Sequence, residues 1–191
     1  MSTSTIPQAP IAMTGPLTAG DFLMQIYWFA DTQAVPEVIG IAGLSRLTRL
    51  ALILGAQSGL AREIQPFFAF HRTPQGGVAS ADVWSALLAL RAYQVVSTFD
   101  ADEPMPAEEQ DERKFLLERH IPAPERKGYP VPKFLERDVL TNKGTFFAAK
   151  REDQTTQKRV AIFKSVPDLN RLSLAELTAR ALPLLSEVGA R

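Results

Sequence analysis

The sequence predicts a mainly helical protein of the α+β class. Three observations carry that expectation. Apolar residues recur at helical spacing in several segments, and capping residues stand at the starts of those segments. The strand-like stretches are short and are bounded by Gly and Pro turns. Of the 191 residues, 46% are hydrophobic and 22% are charged, which suits a globular chain rather than a disordered one. That length accommodates one cored domain, or one domain with an appendage.

Residues 1–16 read as a disordered Ser-, Thr- and Pro-containing leader. The first helix is expected over Leu17–Asp31, with Thr18 as N-cap and Asp21 three residues on. Phe22, Leu23, Ile26, Tyr27 and Phe29 form its apolar stripe, and Trp28 adds bulk. Gln33–Gly43, with Pro36 and two glycines, reads as a loop. A second helix is expected over Leu44–Ser58, stopped by Gly59, with Leu44, Leu47, Leu50, Ala51 and Leu54 on one face. Arg46 and Arg49 share another face. Ile64–Phe70 is aromatic-rich, and Pro66 allows only an edge strand there. His71–Gly77 reads as a turn.

Ser80 caps a third helix running to Ala92, with Val83, Leu87 and Leu90 on its apolar side. Tyr93–Phe99 reads as a short strand. Ala107–His120 is a helix by propensity, acidic first and basic last, which suits the helix dipole. Four prolines make Ile121–Pro132 an extended connector. Phe134–Leu140 reads as a strand. Thr145–Val166 fits two helices broken near Asp153–Thr156, or a hairpin of Thr145–Lys150 with Arg159–Lys164; helices are the preferred reading. Ser173 and Glu176 form a capping box for a last helix, which Pro183 ends or kinks.

Helix, helix, short strand, turn, helix, strand is the plan of a winged helix-turn-helix, here with a short β-wing and extra C-terminal helices. The expected organisation is a core over 17–100, a charged helix and connector over 101–135, and a helical part over 136–191 packed on the core. Several phrases fit that plan: Ser45–Leu54, Phe67–His71, Gly76–Ser80, Leu87–Val96, Val139–Gly144 and Leu172–Leu177. With them, roughly 17–186 resembles bacterial and archaeal winged-helix proteins of the Panacea (SocA-like) antitoxin type. It is similar in the same way to the middle components of ABC three-component defence systems. Val139-Leu140-Thr141-Asn142-Lys143-Gly144 matches that group's L-T-x-K-G closely. Its G-P-[FY]-S turn is replaced by Gly76-Gly77-Val78-Ala79-Ser80, which weighs against a DNA-reading third helix.

The resemblance implies a cytoplasmic, non-enzymatic interaction or adaptor subunit of a bacterial multi-protein system, of antiviral defence or toxin–antitoxin kind. The alternative is a DNA-binding transcriptional regulator. The composition bears on both. Without Cys there is no disulfide, thiolate metal site or thiol nucleophile. His71 and His120, the two histidines, have no metal-ligand spacing, so no metal and no cofactor are expected. Neither a phosphate loop nor a G-x-S-x-G elbow is present. Glu108, Glu109, Asp111 and Glu112 read as an exposed acidic helix start rather than as catalytic acids, and no catalytic residue is expected. No apolar run reaches the roughly 18–20 residues of a membrane span.

Charge is uneven. Residues 100–112 hold seven acids and no base, whereas 113–164 hold 13 bases and six acids. A DNA-reading third helix would present Ser80, Asp82 and Ser85, flanked by His71, Arg72 and Gln75, which is a poor phosphate-binding surface. Nucleic acid is more readily met through residues 143–164. The candidate partner or DNA contacts are Arg46, Arg49, Arg72, Gln75, Ser80, Ser85, Lys150, Arg151, Lys158 and Arg159. A protein partner or a homodimer fits the aromatic content better, through Phe67, Phe68, Phe70, the Tyr27–Phe29 cluster, Trp84, or the connector with Tyr129.

Overall fold

A computed structural model of the chain describes residues 18–32, 40–57, 68–152 and 157–188. The leader, Gly59, Ile64–Phe67 and Asp153–Thr156 lie outside the described residues. The fold mixes helices with a small antiparallel sheet.

Helix α1 spans Ala19–Thr32. Thr18 Oγ1 accepts from the Asp21 N–H at 3.1 Å, and Thr18 N–H donates to Asp21 Oδ2 at 3.0 Å. This reciprocal cap is the start the sequence suggests. Strand β1 (Ile41–Ala42) lies within the expected loop and leads into α2 (Leu44–Ala56). His71 and Arg72 form a strand, β2, rather than a turn; it pairs with β3 (Val78–Ala79). Helix α3 (Ala81–Ala92) starts at Ser80, whose hydroxyl accepts from the Val83 N–H at 3.2 Å.

Strand β4 runs Val96–Pro104, further than expected, and α4 covers Ala107–His120. The connector is not simply extended: a 3-10 turn occupies Arg126–Gly128. Arg126 pins it, donating from Nε to the Ile121 carbonyl and from Nη2 to the Glu118 carbonyl, both at 2.9 Å. Strand β5 (Phe134–Leu140) follows. The ambiguous segment is helical, as α5 (Asn142–Glu152) and α6 (Gln157–Phe163). Helices α7 (Val166–Asn170), α8 (Leu174–Ala181) and α9 (Leu185–Val188) close the chain's described part. Ser173 and Glu176 form the expected capping box, and Pro183 sits in a 3-10 turn, Leu182–Leu184, where α8 ends.

The sheet order is β1-β5-β4, all antiparallel, with Ile41 opposite Asp138 and Val96 opposite Leu140. The central strand therefore comes from 134–140, and a core drawn at 17–100 lacks it. The core gathers on α1 and α2. Phe22 stands 5.8 Å from Phe68 and 5.4 Å from Phe163, and Phe29 stacks on Phe163 at 5.9 Å. Phe68 and Phe70 are buried, so these two aromatics serve the interior.

The acidic turn of α4 is the main correction to the sequence reading. Glu109 and Glu112 are buried, not exposed. Glu109 accepts the first N–H groups of α2, from Leu44 at 2.9 Å and Ser45 at 2.7 Å. A carboxylate from α4 thus caps α2, which has no cap of its own. The preceding Gly43 has φ +86°, and a Cβ there would stand 2.8 Å from Glu109 Oε2. Glu112 accepts from the Val78 N–H at 3.0 Å and from the Ser45 hydroxyl.

Arg49 completes the cluster. Its Nη2 lies 2.5 Å from both Glu108 and Glu112, and its Nε donates to Thr178 Oγ1 at 2.6 Å. Burial pushes the Glu112 carboxyl upward, Arg49 and Ser45 pull it back, and it remains above the ordinary glutamate value. The chain of ion pairs continues. Arg113 joins Glu109 to Glu136 at 2.8 Å each, and Arg91 joins Glu136 at 3.2 Å to Asp138 at 2.9 Å. Charged groups link α2, α4, α3 and β5, with the Thr178 hydroxyl bringing in α8, and Arg91 ties α3 to β5.

Candidate interaction site

The surface of α3 is built from its cap outward. Val83, Leu87 and Leu90 face the core, as the sequence suggests. Asp82, Ser85, Leu88, Ala89 and Ala92 face solvent, and Leu88 is 40% exposed. Among these exposed positions there is no Lys or Arg. Arg91, the one basic residue of the helix, turns toward Asp138 and Glu136. Asp82 accepts from the Ala69 N–H at 2.7 Å, so its carboxylate also serves the approach to the hairpin.

Beside this face lies a cleft of about 520 Å³ between α3 and the connector. His71, Asp82, Trp84, Leu88, His120 and Tyr129 line it. Tyr129 sits edge-on to Trp84, with ring centroids 6.2 Å apart at 72°. The two histidines, 49 positions apart, border the same cleft. Sequence spacing does not reveal this, because it follows from α4, which ends at His120, packing on the β2–β3 hairpin that carries His71. No group of three potential metal ligands occurs among the described residues. The cleft combines an aromatic wall, an exposed leucine and two imidazoles, the composition of a side-chain-accepting recess.

The eight predicted contact residues whose side chains are described do not form one surface. Arg72, Gln75 and Ser85 are exposed near the N-terminal end of α3. Ser80 is fully buried as the cap, and Arg49 is fully buried in its ion pairs. Arg46 donates from Nη1 to the carbonyls of Asn170 at 2.8 Å and Leu172 at 2.7 Å. Lys150 is exposed on α5 with its Nζ 5.7 Å from the Phe146 ring. Arg151 is largely buried and lies 3.4 Å from Asp21. The side chains of Lys158 and Arg159 lie outside the described residues.

Comparison with protein-family models, curated proteins and solved structures found no match.

Proposed function

We propose that the chain is a non-enzymatic winged-helix module acting as an interaction or adaptor subunit in the cytoplasm. The winged-helix reading is supported by order and pairing together. Elements α1, β1, α2, α3, β4 and β5 follow in that sequence, and β5 pairs between β1 and β4. In this reading α2 and α3 are the helix-turn-helix pair, and β4 and β5 form the wing. A helix, α4, and the pinned connector replace the usual wing loop. The placement in a bacterial defence or toxin–antitoxin assembly rests on the sequence resemblance.

One observation carries the choice of protein over DNA. The solvent face of α3, which would enter the major groove, offers Leu88 and alanines but no cation. The adjoining cleft is lined by Trp84 and Tyr129. Aromatic and leucine anchors beside a recess suit a protein partner or a second copy of the chain. The DNA-binding alternative draws on the exposed Lys143, Lys150 and Lys164, with Phe146 61% exposed between the first two.

Titration with labelled duplex DNA separates the readings. The adaptor reading expects no retention at about 50 mM salt. Binding that weakens steeply as salt rises, and that is lost in a Lys143→Gln, Lys150→Gln variant, would favour the regulator.

A further inference from the structure

The sheet ends on β4. In the order β1-β5-β4 one side of β4 pairs with β5, and the other side has no strand beside it among the described residues. Two bonds fix which way the backbone groups face. The Thr141 N–H donates to the Val95 carbonyl at 3.0 Å, and on the far side of β5 the Gly43 N–H donates to the Glu136 carbonyl at 2.8 Å. An antiparallel ladder alternates from there. Ser97 and Phe99, opposite Val139 and Arg137, turn their backbone groups toward β5, and Thr98 and Asp100 turn theirs outward. Thr98 and Asp100 are exposed, and among the described residues nothing bonds their backbone groups. The register shifts after Asp100, and Asp102 has φ 53°, so the regular open segment is short and Phe99 stands at its middle.

Phe99 is 47% exposed, an aromatic ring left in solvent between two open peptide positions. Charge is divided along the strand. Asp100 and Asp102, toward its far end, are exposed and have no ion-pair partner among the described residues. At its near end Lys143 is exposed beside Val96 and Ser97, with Nζ 2.8 Å from the Tyr93 carbonyl. Such a strand complements itself when reversed: antiparallel pairing of two copies carries each acidic end toward the other's lysine.

We infer that a second copy of the chain pairs antiparallel along β4, with the twofold axis through Phe99. Thr98 of each copy then faces Asp100 of the other, and each such pair exchanges two N–H···O bonds. The two Phe99 rings meet across the axis as a non-hydrogen-bonded pair, where side chains stand closest. Arg91 and Thr98 both donate to Asp138, so α3 lies on the face of the sheet opposite Phe99. The axis is perpendicular to the sheet, and both α3 helices flank the seam on that one face. A second copy is one kind of partner within the interaction-subunit reading, on which this assignment rests.

Sedimentation velocity of the full chain across a concentration series tests this. The wild type should form a dimer. Phe99→Lys and Phe99→Glu, each alone, should be monomeric, because like charges then stand directly opposite across the axis. Both are surface changes, and unaltered circular dichroism and thermal unfolding show that the fold is kept. An equimolar mixture of the two should restore a dimer, since lysine then faces glutamate. Thr98→Pro, which removes an outward N–H and leaves the β5 ladder alone, should weaken the dimer by about tenfold or more. A wild type that stays monomeric overturns the assignment; if that monomer still binds the products of neighbouring genes, the adaptor reading stands. A dimer that Phe99→Lys leaves intact overturns it too, in favour of another interface. So does a mixture of the two folded variants that fails to associate. A dimer lost in Phe99→Lys but kept in Leu88→Glu would uphold the β4 pairing and count against the α3 face alone.

Discussion

The Arg49 guanidinium meets the Glu112 carboxylate fork to fork, Nη2 at 2.5 Å from Oε1 and Nη1 at 3.1 Å from Oε2, with the arginine side chain fully buried. The pair joins α2 to α4, and Glu108 and Thr178 extend it to α8. Removing one member leaves a charge inside without its counterpart. Arg49→Met should therefore destabilise the protein by about 3–5 kcal/mol. Adding Glu112→Gln should restore part of that loss, with a coupling of roughly 0.5–3 kcal/mol. Urea unfolding of the single and double variants measures both; strictly additive losses would mean that the pair is not coupled.

Two adjacent glycines should differ in their tolerance of alanine. A Cβ on Gly77 would stand 2.0 Å from Glu112 Oε1, whereas around Gly76 there is open space. Gly76 has φ +88°, so alanine there meets backbone strain alone, about 1 kcal/mol. Glu112 cannot retreat from Gly77 without leaving Arg49. Gly77→Ala should cost about 3 kcal/mol, the upper part of the overpacking range. Thermal unfolding of the two variants gives the order; a larger loss at Gly76 would contradict the packing described.

How much of this was legible in the sequence divides along physical lines. Helices α3 and α4 and strand β5 match their expected bounds within a residue, because local caps, propensity and prolines set them. The burial of Glu109 and Glu112 was not legible. Their partners Leu44, Ser45 and Arg49 lie more than 60 positions away, and an acidic first turn satisfies the helix dipole whether or not it is buried. Arg46 and Arg49 read as surface cations for the same reason: spacing gives a shared face, not what covers it. The meeting of His71 and His120 depends on α4 packing against the β2–β3 hairpin, a contact between segments far apart in the chain. The folded connector rests on Arg126 bonds to backbone carbonyls. No side-chain pattern announces those bonds.

Acid should weaken the ion-pair chain at Glu136. Burial favours the neutral carboxyl, but hydrogen bonds and attraction from Arg113, and then from Arg91, hold it below the ordinary glutamate value. A carboxylate depressed in the folded state contributes stability above its unfolded value of about 4.3. That contribution is lost as pH falls through the lower folded value. Glu136→Gln should lower stability at neutral pH and flatten its fall between about pH 5 and 3. Chemical denaturation across that range checks it, and an unchanged slope in the variant would remove Glu136 from the account.

The α3 face is the centre of the functional proposal, and Leu88 is its most informative position. Leu88 is 40% exposed beside the Trp84–Tyr129 cleft and is not part of the buried apolar side of the helix. Leu88→Glu should leave stability within about 0.5 kcal/mol, as expected for a surface substitution. Sedimentation velocity of the wild type and this variant, each alone and with the products of neighbouring genes co-expressed, addresses the proposal most directly. The account predicts a defined complex or homodimer for the wild type and its loss in Leu88→Glu. A wild-type chain that stays monomeric and ignores those products, or a complex that Leu88→Glu leaves intact, would contradict it.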